Sequence, residues 1–146
     1  MKKLSLLLLT TALTTTSVFA ADVLNNSEWK TIDDETGKPK ALVSFKQQAN
    51  GTFTATISKS LDPNVEKGCN TCAGALKGKP LEGVTIVRNL KAMSAGKYDG
   101  GTILDPKSGK TYKMKAEVSP DGKKLQVRGY IGISALGRNQ TWLRAN

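Results

Sequence analysis

The chain has 146 residues, room for one domain with or without a targeting segment. Hydrophobic residues make up 38% and charged residues 23%, enough apolar material for a core, which argues against wholesale disorder. Lys and Arg total 22 against 12 acidic residues, and histidine is absent, which excludes imidazole acid–base chemistry, Ser-His-Asp and Cys-His arrangements and His-ligated metals, while two cysteines are too few for a four-thiolate zinc site.

Residues 1–20 read as a secretory signal peptide rather than as fold. Lys2 and Lys3 form the positive start, Leu4 to Leu13 the apolar stretch, and Val18-Phe19-Ala20 supplies small residues at the −3 and −1 positions of a cut after Ala20. The alternative is an N-terminal membrane anchor, but the apolar run is shorter than the ~20 residues a span requires. The expected mature chain is residues 21–146, exported and not membrane-spanning, with no cysteine after the cleavage site for a lipid anchor. It keeps 20 basic residues against 12 acidic ones. That excess suits anionic envelope components, or simply a solvated surface, since no block of like charges exists. Nucleic acid is not expected as a partner, because no recognised binding motif is present.

The mature chain reads as β throughout. The first candidate strand is Glu28–Ile32, joined by Thr36-Gly37-Lys38-Pro39 to Ala41–Lys46, which sets Ala41, Val43 and Phe45 on one side. Asn50-Gly51, a strong hairpin signal, leads into Thr52–Ile57, with Phe53, Ala55 and Ile57 on one face. Val84–Asn89 and Tyr98–Leu104 follow, then a turn-rich Asp105-Pro106-Lys107-Ser108-Gly109-Lys110. Thr111–Val118 alternates clearly, with Tyr112, Met114, Ala116 and Val118 on one face. After Pro120-Asp121-Gly122, Leu125–Ile133 puts Leu125, Val127, Gly129, Ile131 and Ile133 together, and Gln140–Arg144 ends the series. About eight short strands with tight connections predict a sandwich or an up-and-down barrel, and closure is attractive because it removes edge strands.

Leu61–Pro80 breaks the meander as a long polar loop, a kind of segment that is often functional. It holds Cys69 and Cys72. In an oxidising compartment two cysteines this close bond to each other. A redox-active dithiol needs a lowered thiol pKa, and neither a helix N-terminus nor a βαβ setting is present to supply it. A two-thiolate metal site remains open and needs carboxylates such as Asp62 or Glu66 as further ligands.

Other candidates are weaker. Asp33-Asp34-Glu35 and the pair Asp99 and Asp105 lack a spacing that demands catalysis, and Asp105 before Pro106 suits a turn. Gly96…Gly100-Gly101 has neither the ending nor the helix of a phosphate loop. Arg128, Tyr130, Arg138, Trp142 and Arg144 give the last third an Arg/aromatic character. Trp29 and Trp142 stand on the first and last strands, neighbours in a closed meander, where an arginine stacked on a tryptophan seals one end of the barrel. The alternative is that these residues line a ligand mouth.

Several blocks together carry a resemblance. They are Trp29-Lys30-Thr31 with Thr36-Gly37-Lys38-Pro39-Lys40-Ala41, the Cys69/Cys72 pair, and Leu76-Lys77-Gly78-Lys79-Pro80-Leu81 with Gly83. Gly100-Gly101-Thr102-Ile103-Leu104-Asp105-Pro106, Arg128-Gly129-Tyr130, and Leu136-Gly137-Arg138 with Gln140, Trp142 and Arg144 complete them. Over essentially the whole mature chain this resembles the bacterial exported family catalogued as domain of unknown function 2147. The resemblance implies a lipocalin-like β-barrel and a periplasmic setting in a Gram-negative source. It supplies no catalytic residues, so Asp105, Arg128, Tyr130 and Arg138 are family-motif positions of unknown role. The family pattern often includes the cysteine pair, in agreement with a structural disulfide. Lipocalins often open with Gly-x-Trp and set an arginine from the last strand over that tryptophan; here Ser27-Glu28-Trp29 lacks the glycine, and Arg144 is the candidate arginine.

Two functions compete. One is a binding module for an apolar or amphipathic ligand, with Phe45, Phe53, Ile57, Met114, Val127 and Ile131 inside the barrel and small Ala55, Ala116 and Gly129 leaving space among them. The other is an envelope interaction protein with a filled barrel, using its basic face or the loop at Cys69 and Cys72. An interior void of hundreds of Å3 discriminates in favour of the first. An enzyme is not expected, redox chemistry at Cys69/Cys72 being its one credible form, and no cofactor is expected. The oligomeric state is open.

Overall fold

The computed structural model describes residues 20–65 and 68–146. The proposed signal peptide, apart from Ala20, and Glu66 lie outside the described residues. Eight antiparallel strands follow one another around a closed barrel: β1 (Glu28–Ile32), β2 (Pro39–Gln47), β3 (Phe53–Ser60), β4 (Thr85–Ser94), β5 (Lys97–Leu104), β6 (Thr111–Val118), β7 (Lys124–Tyr130) and β8 (Gly137–Arg144). One 3-10 turn, Gly74–Leu76, lies in the long β3–β4 loop. Closure comes from β1 against β8, with Trp29 opposite Arg144 and Lys30 opposite Leu143. No sheet edge is left unpaired by this arrangement.

Alternation sets the inward faces as period two requires. Val43 and Phe45 on β2, Phe53, Ala55 and Ile57 on β3, Met114, Ala116 and Val118 on β6, and Leu125 and Val127 on β7 are all buried. β3 runs on to Ser60 and β8 begins at Gly137, each three residues beyond the sequence reading, and two further strands depart from it for local backbone reasons. β4 continues past Asn89 to Ser94. Asn89 takes a left-handed conformation (φ 56°), so the pairing slips between Phe53 opposite Leu90 and Ala55 opposite Val87, and the inward residues become Ile86, Val87 and Leu90. β7 stops at Tyr130, not Ile133. Gly132 turns the chain with φ 73°, and Ile131 and Ile133 stand in solvent at 63% and 65% exposure. The assignment of Ile131 to the barrel interior is therefore wrong.

Gly100-Gly101 has a structural use. Gly100 takes φ 72° where the β5–β6 register shifts, and a Cβ on Gly101 would lie 2.9 Å from Leu90 Cδ1 and 3.0 Å from Leu90 Cα. Any larger residue there pushes β4 and β5 apart.

The core fills one half of the barrel. Phe45 lies against Trp142 with ring centroids 6.3 Å apart, and Phe53 meets Tyr98 edge-on at 5.6 Å. Leu24, in the N-terminal turn before β1, is fully buried and plugs this end. Trp29 is fully buried, donates its indole N–H to Ser27 Oγ at 2.7 Å, and carries the Arg144 guanidinium 5.3 Å from its ring centroid. The Tyr98 hydroxyl donates to Asp22 Oδ1 at 2.5 Å, tying the plug to β5. Burial first, and then this carboxylate, push the Tyr98 phenol well above its ordinary range.

Candidate functional site

The other half of the barrel is hollow. A cavity of about 370 Å3 opens at the end that carries the β1–β2, β3–β4, β5–β6 and β7–β8 connections. Its walls are mainly apolar: Val43, Ile57, Ile86, Ile103 and Val127 from the strands, with Trp142 as part of the floor. Thr31, Tyr112 and Gln140 add polar groups to the wall, and Gln140 Oε1 accepts the Trp142 indole N–H at 2.9 Å. Space exists here because Gly129, which borders it, has no side chain, and the large aromatics are spent on the layers below.

The β3–β4 loop leans over the opening, lining the cavity with Asp62, Val65, Cys69, Thr71, Cys72 and Leu81. The Cys69 and Cys72 sulfurs are at disulfide distance, 1.97 Å apart, and both residues are buried. Backbone bonds tighten the same bend: Cys69 N–H donates to the Lys79 carbonyl at 2.9 Å, and Gly78 N–H to the Cys69 carbonyl at 2.8 Å. The Ala73 N–H reaches the Pro106 carbonyl at 3.4 Å and so touches the β5–β6 turn. Of the carboxylates that a metal site here would call on, Glu66 lies outside the described residues. The thiols are bonded to one another, Asp62 accepts from Lys40 Nζ at 3.0 Å, and among the described residues no three Cys, Asp or Glu side chains cluster to hold an ion.

Two turns of the same chemistry frame the mouth, a repeat that the sequence reading missed. Asp33–Lys38 and Asp105–Lys110 share the pattern Asp-x-x-Thr/Ser-Gly-Lys. In each, the aspartate N–H bonds the lysine carbonyl, the glycine N–H bonds the aspartate carbonyl at 2.8 Å, and the Thr36 or Ser108 hydroxyl donates to the aspartate carboxylate. Asp105 thus serves as a turn former that lines the cavity edge. Arg138 clamps the first turn to β8, with Nε 2.5 Å from Asp34 Oδ2 and Nη2 2.8 Å from Asp34 Oδ1 and 3.2 Å from Glu35 Oε1. The Arg138 hydrogen bond lowers the Asp34 carboxyl below its ordinary range and raises the guanidinium in return. Asp33 is lowered mainly by the Thr36 N–H, and Asp62 by the Asn64 N–H and then by Lys40.

The expected interior residues thus separate by height. Ile57 and Val127 border the cavity. Phe45, Phe53 and Met114 point inward but belong to the filled half and border no part of it, because the surrounding aromatics close that cross-section. Ala55 and Ala116 are packed over in the same way, so Gly129 is the small residue that leaves space. The Arg/aromatic group separates too. Arg144 and Trp29 sit at the closed end, whereas Trp142 sits under the cavity with no arginine stacked on it, a correction to its assignment as a closing residue. Arg128 holds the β7–β8 loop through Ser134 O at 2.6 Å, Ala135 O at 3.2 Å and Asn139 Oδ1 at 2.7 Å. Tyr130 ends β7 opposite Gly137, where a Cβ would lie 2.9 Å from Tyr130 Cβ and 2.8 Å from the Gly129 carbonyl oxygen.

Comparison with known proteins agrees with this architecture. The solved structure of protein HP1028 from the human pathogen Helicobacter pylori, described as belonging to the lipocalin family, superposes with a TM-score of 0.68 at 23% sequence identity, over 83% of this chain and 82% of that one. At that identity the likeness establishes the lipocalin-like barrel fold. None of the curated proteins searched matches the chain. The family model described as "Uncharacterized protein conserved in bacteria (DUF2147)" matches residues 27–144, from the serine under Trp29 to the arginine over it, and the chain belongs to that family.

Proposed function

We propose that this protein is an exported binding module that holds one small apolar or amphipathic molecule in the open half of its barrel. The observation behind this reading is the cavity of about 370 Å3 with apolar walls, a few polar groups and a charged rim. Small-molecule sites combine these features and span ~300–1,000 Å3, so the volume suits a single-chain ligand rather than a two-tailed lipid. In this reading the charged rim suits the polar end of an amphipathic ligand. A filled barrel acting only through its outer face would leave the hollow half without a use. In this reading the cysteine pair pins the loop over the mouth and performs no chemistry, and the start of the chain directs export.

Native mass spectrometry of the protein purified from its own cells without detergent tests the proposal. A discrete added mass of a small organic molecule, lost on denaturation, is the expected result. A bare chain that also takes up nothing from a total lipid extract of those cells would contradict it.

A further inference from the structure

The β7–β8 loop is exposed in an unusual way. In six residues it presents Ile131, Ile133 and Leu136 at 63%, 65% and 73% exposure, three of the most exposed large apolar side chains among the described residues. Scattered single apolar residues on a surface are ordinary, but three on one loop tip are a patch. The loop is also built to keep them outward. Arg128 grips its backbone at Ser134 and Ala135, and the Leu136 N–H closes on the Ile133 carbonyl at 3.1 Å. A glycine at 137, where any Cβ meets the Gly129 carbonyl oxygen, sets the return into β8.

The charge around this tip is selective. The turns that flank it around the mouth carry Lys38 on one side and Lys107 and Lys110 on the other, all exposed. Among the described residues, none of these lysines is ion-paired, because Asp34 and Glu35 are taken by Arg138 and Asp62 and Asp33 by Lys40. Arg138 and Lys40 each bridge two acids of the mouth, Asp105 is bonded within its own turn, and the three lysines remain outward.

We propose that the mouth of the barrel docks on an anionic lipid bilayer, with Ile131, Ile133 and Leu136 entering the headgroup region and Lys38, Lys107 and Lys110 facing lipid phosphates. A tip of three side chains is far smaller than the ~800 Å2 per partner of a stable protein interface, so a second copy or a folded partner fits it poorly. Shallow insertion supported by diffuse positive charge is the combination by which small proteins hold to such surfaces. Each lysine near the surface strengthens attraction about fivefold and loses that effect in salt. This surface goes beyond the cargo reading and stands whether or not the cavity is occupied.

The test places an environment-sensitive nitrobenzoxadiazole label on the full chain at the loop tip (Ala135→Cys) or, separately, at the opposite end (Asn50→Cys). Both are mixed with 3:1 phosphatidylethanolamine:phosphatidylglycerol vesicles or with phosphatidylcholine vesicles. We expect the label at 135 to brighten and shift to the blue with the anionic vesicles in low salt, to lose most of that response in 0.5 M salt, and the label at 50 to stay aqueous. Replacing the tip in the labelled chain (Ile131→Ser, Ile133→Ser and Leu136→Ser) is expected to weaken the response at least tenfold with an unchanged circular dichroism spectrum. An unresponsive label at 135, an equal response at both positions, or a concentration-dependent response at 135 without vesicles, which marks self-association, would overturn the proposal.

Discussion

Three arginines on the last two strands do three different things, and each is set by what lies within reach of its guanidinium. Arg128 organises a loop backbone, Arg138 clasps two acids of the first turn, and Arg144 covers the buried indole of Trp29. The last contact shields an aromatic face at the seam where β8 meets β1, and partial exposure limits its strength to the range of ~0.5–2 kcal/mol. Arg144→Ala is therefore expected to lower the urea midpoint by about 1 kcal/mol of unfolding free energy, with Arg144→Lys between the variant and the wild type. An Arg144→Ala protein as stable as the wild type would show that the stack adds nothing. The pairing of a first-strand tryptophan with a last-strand arginine was legible in the sequence, because a closed meander makes those strands neighbours. The different place of Trp142, under the cavity, was not. Period-two alternation reports the face of a strand and is silent about height along the barrel, and height is what separates Trp29 from Trp142.

At the scale of elements, turns hold the mouth together. The β1–β2 turn depends on ionised Asp33 and Asp34, and the β3–β4 loop depends on ionised Asp62. All three carboxyls are lowered in the folded chain. Their contribution to stability is thus fully present above the ordinary carboxylate range and disappears as pH falls through the lowered values. Urea midpoints are expected to hold steady in this respect from neutrality down to about pH 5 and to decline below about pH 4. Asp34→Asn should start lower at neutral pH and decline less steeply; a parallel decline in both proteins would mean that Asp34 has no part in the effect. These turns were half legible. Asp-x-x-Thr/Ser-Gly-Lys appears twice in the sequence, and side-chain oxygens two or three residues before the N–H groups they bind are a known turn device. That the two turns form one rim follows from topology alone. The strand misreadings have the same local character: Asn89 and Gly132 adopt left-handed backbone, which breaks alternation without any change in composition.

At the scale of the molecule, the barrel is divided into a filled half and a hollow half. The closed eight-stranded fold could be read from alternation, hairpin signals and the even spacing of strands. The division could not, since it depends on how side chains from eight strands meet at each level. Aromatic pairs at Phe45/Trp142 and Phe53/Tyr98 close the lower layers, and Gly129 leaves the upper one open. A Cβ at Gly129 would meet only Ile103 Cγ2 and Tyr112 Cβ and Cγ, at 3.6–4.0 Å, ordinary contact. A branched side chain there therefore enters the cavity without distorting the strand, and it also removes the backbone freedom of a strand glycine, worth ~0.5–1 kcal/mol. Titration of wild type and Gly129→Val with the uncharged apolar probe N-phenyl-1-naphthylamine, alongside their thermal midpoints, tests the hollow half directly. The wild type should bind one probe saturably, and the variant at least tenfold more weakly while melting at the same temperature or higher. Equal binding by both proteins, or saturable binding by neither, would contradict the assignment of the cavity as the ligand site.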